Sequence, residues 1–138
     1  TAFSPETKLF YVMAVEDCSI YRKTSRESQG YEGVRDPNDP GLKYLRALDI
    51  QTGKTVWEVP QEGPQEANYS GVLSTAGGLV FYGETGGGFA AVDAKSGKTL
   101  WTFRGNQPWR GCPMTYMLNG RQYVAVASGN NILTFALK

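Results

Sequence analysis

A chain without a single histidine must do any chemistry it performs with other side chains. Imidazole general bases, Ser-His triads and His-based metal sites are excluded from within it. The remaining candidates are few. Glu16 closes the apolar run LFYVMAV, where a strand would meet the face of a sheet stack. A carboxylate there could hold a metal or a ligand, although a solvated strand end is the commoner case. Tyr69 and Trp109 each stand just before an apolar segment, GVLST and CPMTYM. Both could line a central site by stacking, or pack between sheets. Arg110 is either an anion ligand or an ordinary surface charge. The run Gly86-Gly87-Gly88 lacks the helix that a phosphate-cradling loop requires, so it reads as a strand-joining turn. Cys18 and Cys112 form neither a CxxC nor a zinc spacing. They are expected to be buried free thiols, with a disulfide open as the alternative in an oxidising compartment.

The elements that must position these residues are spelled out by a repeat. ALDIQTGKTVW (47–57) returns as AVDAKSGKTLW (91–101), with Asp49/Asp93, Gly53/Gly97, Lys54/Lys98 and Trp57/Trp101 each 44 positions apart. The same offset carries Val80 onto Val124 and Phe89 onto Leu133, so a third, shorter copy follows. A fixed period of this size marks a repeat architecture. Each copy reads as β: short aromatic and branched runs (LVFYGE, GFAAVD, TLWTF) are bounded by Gly-rich turns, and Asn119-Gly120 is a strong hairpin signal. No segment carries a helical apolar stripe. Four strands in such a period make one blade of a β-propeller. The chain is therefore expected to be all-β, with about three four-stranded antiparallel blades, the last incomplete. The expected blade-like units are about 8–59, 69–103 and 109–138, with 22–42 as a long polar surface loop. In each repeat the Asp is expected to accept hydrogen bonds from the Gly-Lys turn, and the Trp to pack on the next blade.

At 138 residues a single domain is expected. A net charge of +1 gives no field that favours nucleic acid, and no apolar run reaches the length of a membrane span. Three blades cannot close a propeller, which needs at least about four. Open sheet edges then imply a fragment of a longer chain, or association with the remaining blades or with copies of itself. The absence of a signal peptide and an initiating Met suggests a processed or cut N-terminus.

RALDIQTGKTVWEVP, SGVLSTAGGLVFYGETGGGFAAVDAKSGKTLWTF and MTYMLNGRQYVAVASG resemble the C-terminal part of pyrroloquinoline quinone (PQQ) dependent alcohol and methanol dehydrogenases. The repeated A-x-D-x-x-[TS]-G-K-x-x-W phrase is similar to the tryptophan docking motif of that family. The resemblance covers about residues 8–138 and is weakest over 22–42. It implies an eight-bladed propeller in the complete protein, PQQ near the axis with Ca²⁺ or a lanthanide, oxidation of an alcohol, and electron transfer to a cytochrome c in the bacterial periplasm or outside the cell. The catalytic Asp of the family lies in earlier blades, so this chain alone is expected to be inactive. The resemblance places Glu16, Tyr69, Ser70, Gly71 and Trp109 at the cofactor. Where the family usually has Asn this chain has Glu16, and where it has Trp-Gly this chain has Tyr69-Ser70, then Gly71. A carboxylate beside an anionic quinone is repelled unless a cation intervenes. The alternative reading is a non-catalytic PQQ-like propeller used as an interaction or assembly scaffold.

Overall fold

A computed structural model describes residues 1–24, 30–39, 41–62 and 70–136. Thirteen strands form three blades and one small ribbon. The first blade takes β1 (Ala2–Ser4), β2 (Leu9–Glu16), β5 (Leu42–Asp49) and β6 (Thr55–Pro60), in that spatial order. The second takes β7 (Val72–Ser74), β8 (Leu79–Gly83), β9 (Gly88–Asp93) and β10 (Thr99–Arg104). The third takes β11 (Met114–Leu118), β12 (Arg121–Ser128) and β13 (Asn131–Ala136). All pairings are antiparallel between neighbours. The described part of the chain is all-β, as the repeat implied, and contains no helix long and apolar enough to cross a membrane.

The blades stack face to face, and strand alternation decides which side chain enters which interface. Leu9, Tyr11, Leu45 and Ala47 of the first blade bury against Val80, Tyr82, Ala90 and Val92 of the second. The intervening residues of the second blade point the other way: Phe89, with Phe81 beside it, packs on Trp109, Val124, Val126 and Phe135 toward the third. β9 is consequently buried on both faces, which explains its unbroken small-and-apolar spelling, GFAAV.

A polar thread crosses the first interface. Tyr11 Oη bonds Thr7 Oγ1 at 2.7 Å and donates to the Ala94 carbonyl at 3.0 Å. Trp57 Nε1 donates to the same carbonyl at 3.1 Å, and its ring lies 5.7 Å from that of Tyr11. Trp57 thus packs on the next blade as expected. Trp101 does so only in part: it meets Phe135 edge-on at 5.1 Å yet stays 39% exposed.

Three local expectations change. The first concerns the stretch 22–42, which is not wholly loop, because β3 (Ser19–Lys23) pairs with β4 (Tyr31–Arg35) as a hairpin. Its base is tied by Asp36 N donating to Cys18 O at 3.0 Å and by Cys18 N donating to the Asp39 carboxylate. The branched and aromatic residues that form it, Ile20, Tyr21, Tyr31 and Val34, were hidden among charged neighbours. Both cysteines are free but exposed, not buried. In the repeated turn, the Asp carboxylate accepts from the residues just before the Gly-Lys pair. Asp93 Oδ1 takes Ser96 N at 2.8 Å and Ser96 Oγ at 2.7 Å; Asp49 Oδ1 takes Thr52 N at 2.7 Å and Thr52 Oγ1 at 2.9 Å. The glycine amide goes instead to the Asp main-chain carbonyl.

Candidate functional site

β2 ends on Glu16, whose register partner is Leu42 at the start of β5. Alternation turns Glu16 to the face of the first blade opposite Tyr11 and Leu45, so it looks away from the second blade. Tyr44 and Arg46 of β5 and Glu58 of β6 share that face. The Arg46 guanidinium donates to Glu16 Oε1 at 2.5 Å and to Glu58 Oε2 at 2.9 Å. It also lies 4.4 Å from the Tyr44 ring centre, within cation–π range. The two carboxylates, Glu16 first, raise the Arg46 pKa above its usual value. Glu16 stays about half exposed, at 52% of its side chain, while Arg46 is only 21% exposed. One cation between two carboxylates leaves a local charge of −1. Arg46 is thus a cation on the same sheet as Glu16, shared with Glu58.

Arg46 was not singled out in the sequence. Its signal was its place in LKYLRALD, out of phase with the buried Lys43, Leu45 and Ala47. Linking it to Glu16 required the pairing of β2 with β5 across a long intervening segment.

Ser70 and Gly71 lead into β7, and Trp109 precedes β11. Ser70 is buried, accepting from Gly83 N at 2.8 Å and donating to Gly71 O at 3.1 Å. Gly71 faces the third blade: a Cβ there would lie 2.5 Å from both Cα and Sγ of Cys112. Only glycine lets the two strand entries come this close. Trp109 is fully enclosed, stacked on Phe89 at 5.3 Å, with Nε1 donating to Gly87 O at 2.9 Å. It offers no free face for a ligand to stack on and instead fixes the second blade to the third. Ser70, Gly71 and Trp109 are thus brought together, with the Gly83 position touching both Ser70 and Trp109. Arg110 is exposed. Tyr69 lies outside the described residues.

These residues do not by themselves compose a cofactor cradle. Among the described residues no three His, Cys, Asp or Glu side chains gather to hold a metal ion. Ser70 has both its bonds inside the protein, and among the described candidates Glu16 and Arg110 present exposed charges. What the arrangement offers is a carboxylate held in place by a guanidinium on the first blade and, separately, the tightly joined strand entries of the second and third.

Comparison with known proteins gives these features their context. Residues 38–124 match the PQQ family described as glucose/ethanol/alcohol dehydrogenase, beta-propeller domain. A quinoprotein ethanol dehydrogenase of Pseudomonas aeruginosa is 38% identical over 136 residues, covering 93% of this chain and 21% of its own length. A lanthanide-dependent methanol dehydrogenase of Methylorubrum extorquens is 39% identical, covering 93% of this chain and 22% of its own. The solved structure of a quinohemoprotein alcohol dehydrogenase from Pseudomonas putida HK5 superposes with a TM-score of 0.80 at 26% identity, over 95% of this chain and 22% of that one. The chain spans about a fifth of the length of the relatives it matches.

Proposed function

The chain belongs to the PQQ family of glucose, ethanol and alcohol dehydrogenase β-propellers, and from that premise we propose that it is a segment of a PQQ-dependent dehydrogenase that oxidises an alcohol. PQQ with Ca²⁺ or a lanthanide would bind in the complete protein and supply the electron-accepting quinone, polarised by the metal acting as a Lewis acid. The part of this chain is narrower. Arg46 holds Glu16 at the end of β2 and offsets its charge, so that a carboxylate can stand at a cofactor-facing rim. Ser70, Gly71 and the enclosed Trp109 fix the entries of the second and third blades, which sets the width of that rim. Tyr69, next to Ser70, belongs to the same proposal. The remaining blades supply the catalytic base, a cytochrome c accepts the electrons, and the protein works in the bacterial periplasm or is secreted.

The observation that most supports this reading is the Arg46–Glu16 pair at 2.5 Å. It partly offsets the charge of a carboxylate where the family usually has Asn, Arg46 being shared with Glu58. A second reading, the non-catalytic scaffold, is favoured by the complete internal satisfaction of Ser70 and Trp109.

Reconstitution of the full-length protein with PQQ and Ca²⁺ or La³⁺, read by alcohol-dependent dye reduction and by reduction of a cytochrome c, separates the two. The dehydrogenase reading expects turnover in the full-length protein and none in this chain alone. Arg46→Gln should weaken PQQ retention by about tenfold or more, the loss expected when a charge-assisted bond leaves its carboxylate unopposed. A full-length protein that retains neither quinone nor turnover would establish the scaffold instead.

A further inference from the structure

The ribbon of β3 and β4 belongs to no blade. Among the described residues each of its strands pairs only with the other, so both outer edges are open. Ile20, Tyr21, Tyr31 and Val34 are all exposed on it. An isolated pair of strands is marginally stable in water, and an open edge accepts a further strand.

The hydrogen-bond pattern shows what each edge offers. Thr24 N donates to Gly30 O at 3.1 Å and Asp36 N donates to Cys18 O at 3.0 Å, just beyond the two ends of the ladder. Bonded and non-bonded pairs alternate along antiparallel strands. Ile20/Val34 and Arg22/Glu32 are therefore the bonded pairs between those ends, and the main-chain groups of Tyr31, Gly33 and Arg35 point outward from β4. The two edges are not equivalent. On β3 the outward positions include Lys23, with Arg22 next to it, and such charges guard an edge. The middle of the β4 edge is Gly33, and Tyr21 folds over it from β3: a Cβ at Gly33 would lie 3.0 Å from Tyr21 Cε1.

We propose that β4 pairs antiparallel with β4 of a second copy of this chain, about a two-fold axis at Gly33, so that two ribbons join into one four-stranded sheet. A two-fold contact requires a strand complementary to itself, and charge selects this register. With Gly33 facing Gly33, Tyr31 stands opposite Arg35 of the second copy and Glu32 stands opposite Val34, each twice by symmetry. The outward amides then meet outward carbonyls, and a cation is set beside an aromatic ring. Within its own chain Arg35 reaches an acidic partner, Asp17, only at 3.9 Å. Moving the axis by one residue fails in either direction. At Glu32 it puts the two Glu32 carboxylates opposite each other, and at Val34 it puts Glu32 opposite Asp36. Like charges directly opposite destabilise a sheet. The contact is small, so the association is weak and depends on concentration. It rests on the ribbon alone and stands whether or not the protein binds a quinone.

The test uses the full-length protein in a dilution series, read by sedimentation and by hydrogen exchange. Exchange at the Tyr31, Gly33 and Arg35 amides should slow as concentration rises, in step with formation of the larger species. The variants are placed at Val34, which is exposed and faces Glu32 of the second copy. Val34→Lys should tighten association by about threefold or more and Val34→Glu should weaken it by about threefold or more, since each change acts twice. Equal shifts for the two variants would overturn the proposal. So would association that leaves the three amides exchanging at the dilute rate, protection of β4 that does not change on dilution, or no slowing at all up to about 1 mM protein.

Discussion

Gly53 and Gly97 occupy the same place in the repeat and have nearly the same backbone, with φ of +68° and +71°. Their surroundings differ. Nothing lies within 4 Å of a Cβ built on Gly53, whereas one built on Gly97 meets Trp57 Cε3 at 2.6 Å and Cδ2 at 2.8 Å. Alanine at either site pays the cost of the left-handed region, roughly 1–2 kcal/mol. Alanine at Gly97 must also move an indole that cannot easily give way, since its Nε1 is bonded to Ala94 and its ring rests beside Tyr11. Overpacking of this kind adds about 1–3 kcal/mol. Gly53→Ala should therefore cost roughly 1–2 kcal/mol and Gly97→Ala roughly 2–5 kcal/mol, measured as shifts in the urea midpoint at constant slope. The decisive measurement is the double-mutant cycle. In a Trp57→Ala background, the added cost of Gly97→Ala should fall back to that of Gly53→Ala, a coupling of about 1–3 kcal/mol. Equal costs for the two glycines in the intact chain, or zero coupling with Trp57, would refute the docked-turn account.

Trp57→Ala should destabilise the chain by at least about 1 kcal/mol more than Trp101→Ala, since only Trp57 has a bonded Nε1 and a covered ring; thermal melts of the two variants check this. Burial pushes the Tyr82 phenol up to about 12. Because its folded pKa lies above the unfolded value of about 10, its contribution is complete below pH ~10 and is lost as pH rises toward about 12. Tyr82→Phe should flatten that alkaline loss in a pH series of urea melts. Asp93 and Asp49 are held below the usual carboxylate range by their turns, Asp93 first by the Ser96 hydroxyl and Asp49 first by the Thr52 amide. Their contribution is present above the unfolded pKa of about 3.9 and is lost as pH falls through the lowered folded value. The Asp49→Asn/Asp93→Asn double variant should therefore show a shallower acid limb than the parent.

Much of the fold was legible because the repeat states it twice. Asp49 and Asp93, the glycines and the two tryptophans define a turn and an outer strand, and a fixed offset then locates their neighbours. What depends on pairing between distant segments was not legible. The β3–β4 hairpin was masked by charged residues that are tolerated because the ribbon is solvated. Arg46 could be joined to Glu16 only once β2 and β5 were aligned. Trp109 shows a third kind of limit: an aromatic residue before an inner strand reads equally as a stacking platform or as packing, and only its full enclosure against Phe89 decides. Trp101 shows a fourth, since its spelling matches Trp57 while its exposure depends on whether a turn is seated upon it.

The two-sided burial of β9 also governs how the molecule comes apart. The cluster around Tyr11 joins the first and second blades, and the cluster around Phe89 joins the second and third, with no buried residue common to both. Among the described residues the outer blades thus communicate through the middle one, as neighbouring spins do in a one-dimensional chain. Losing the third blade leaves the first pair able to stand, whereas a lesion in the middle blade severs both couplings at once and collapses three modules together.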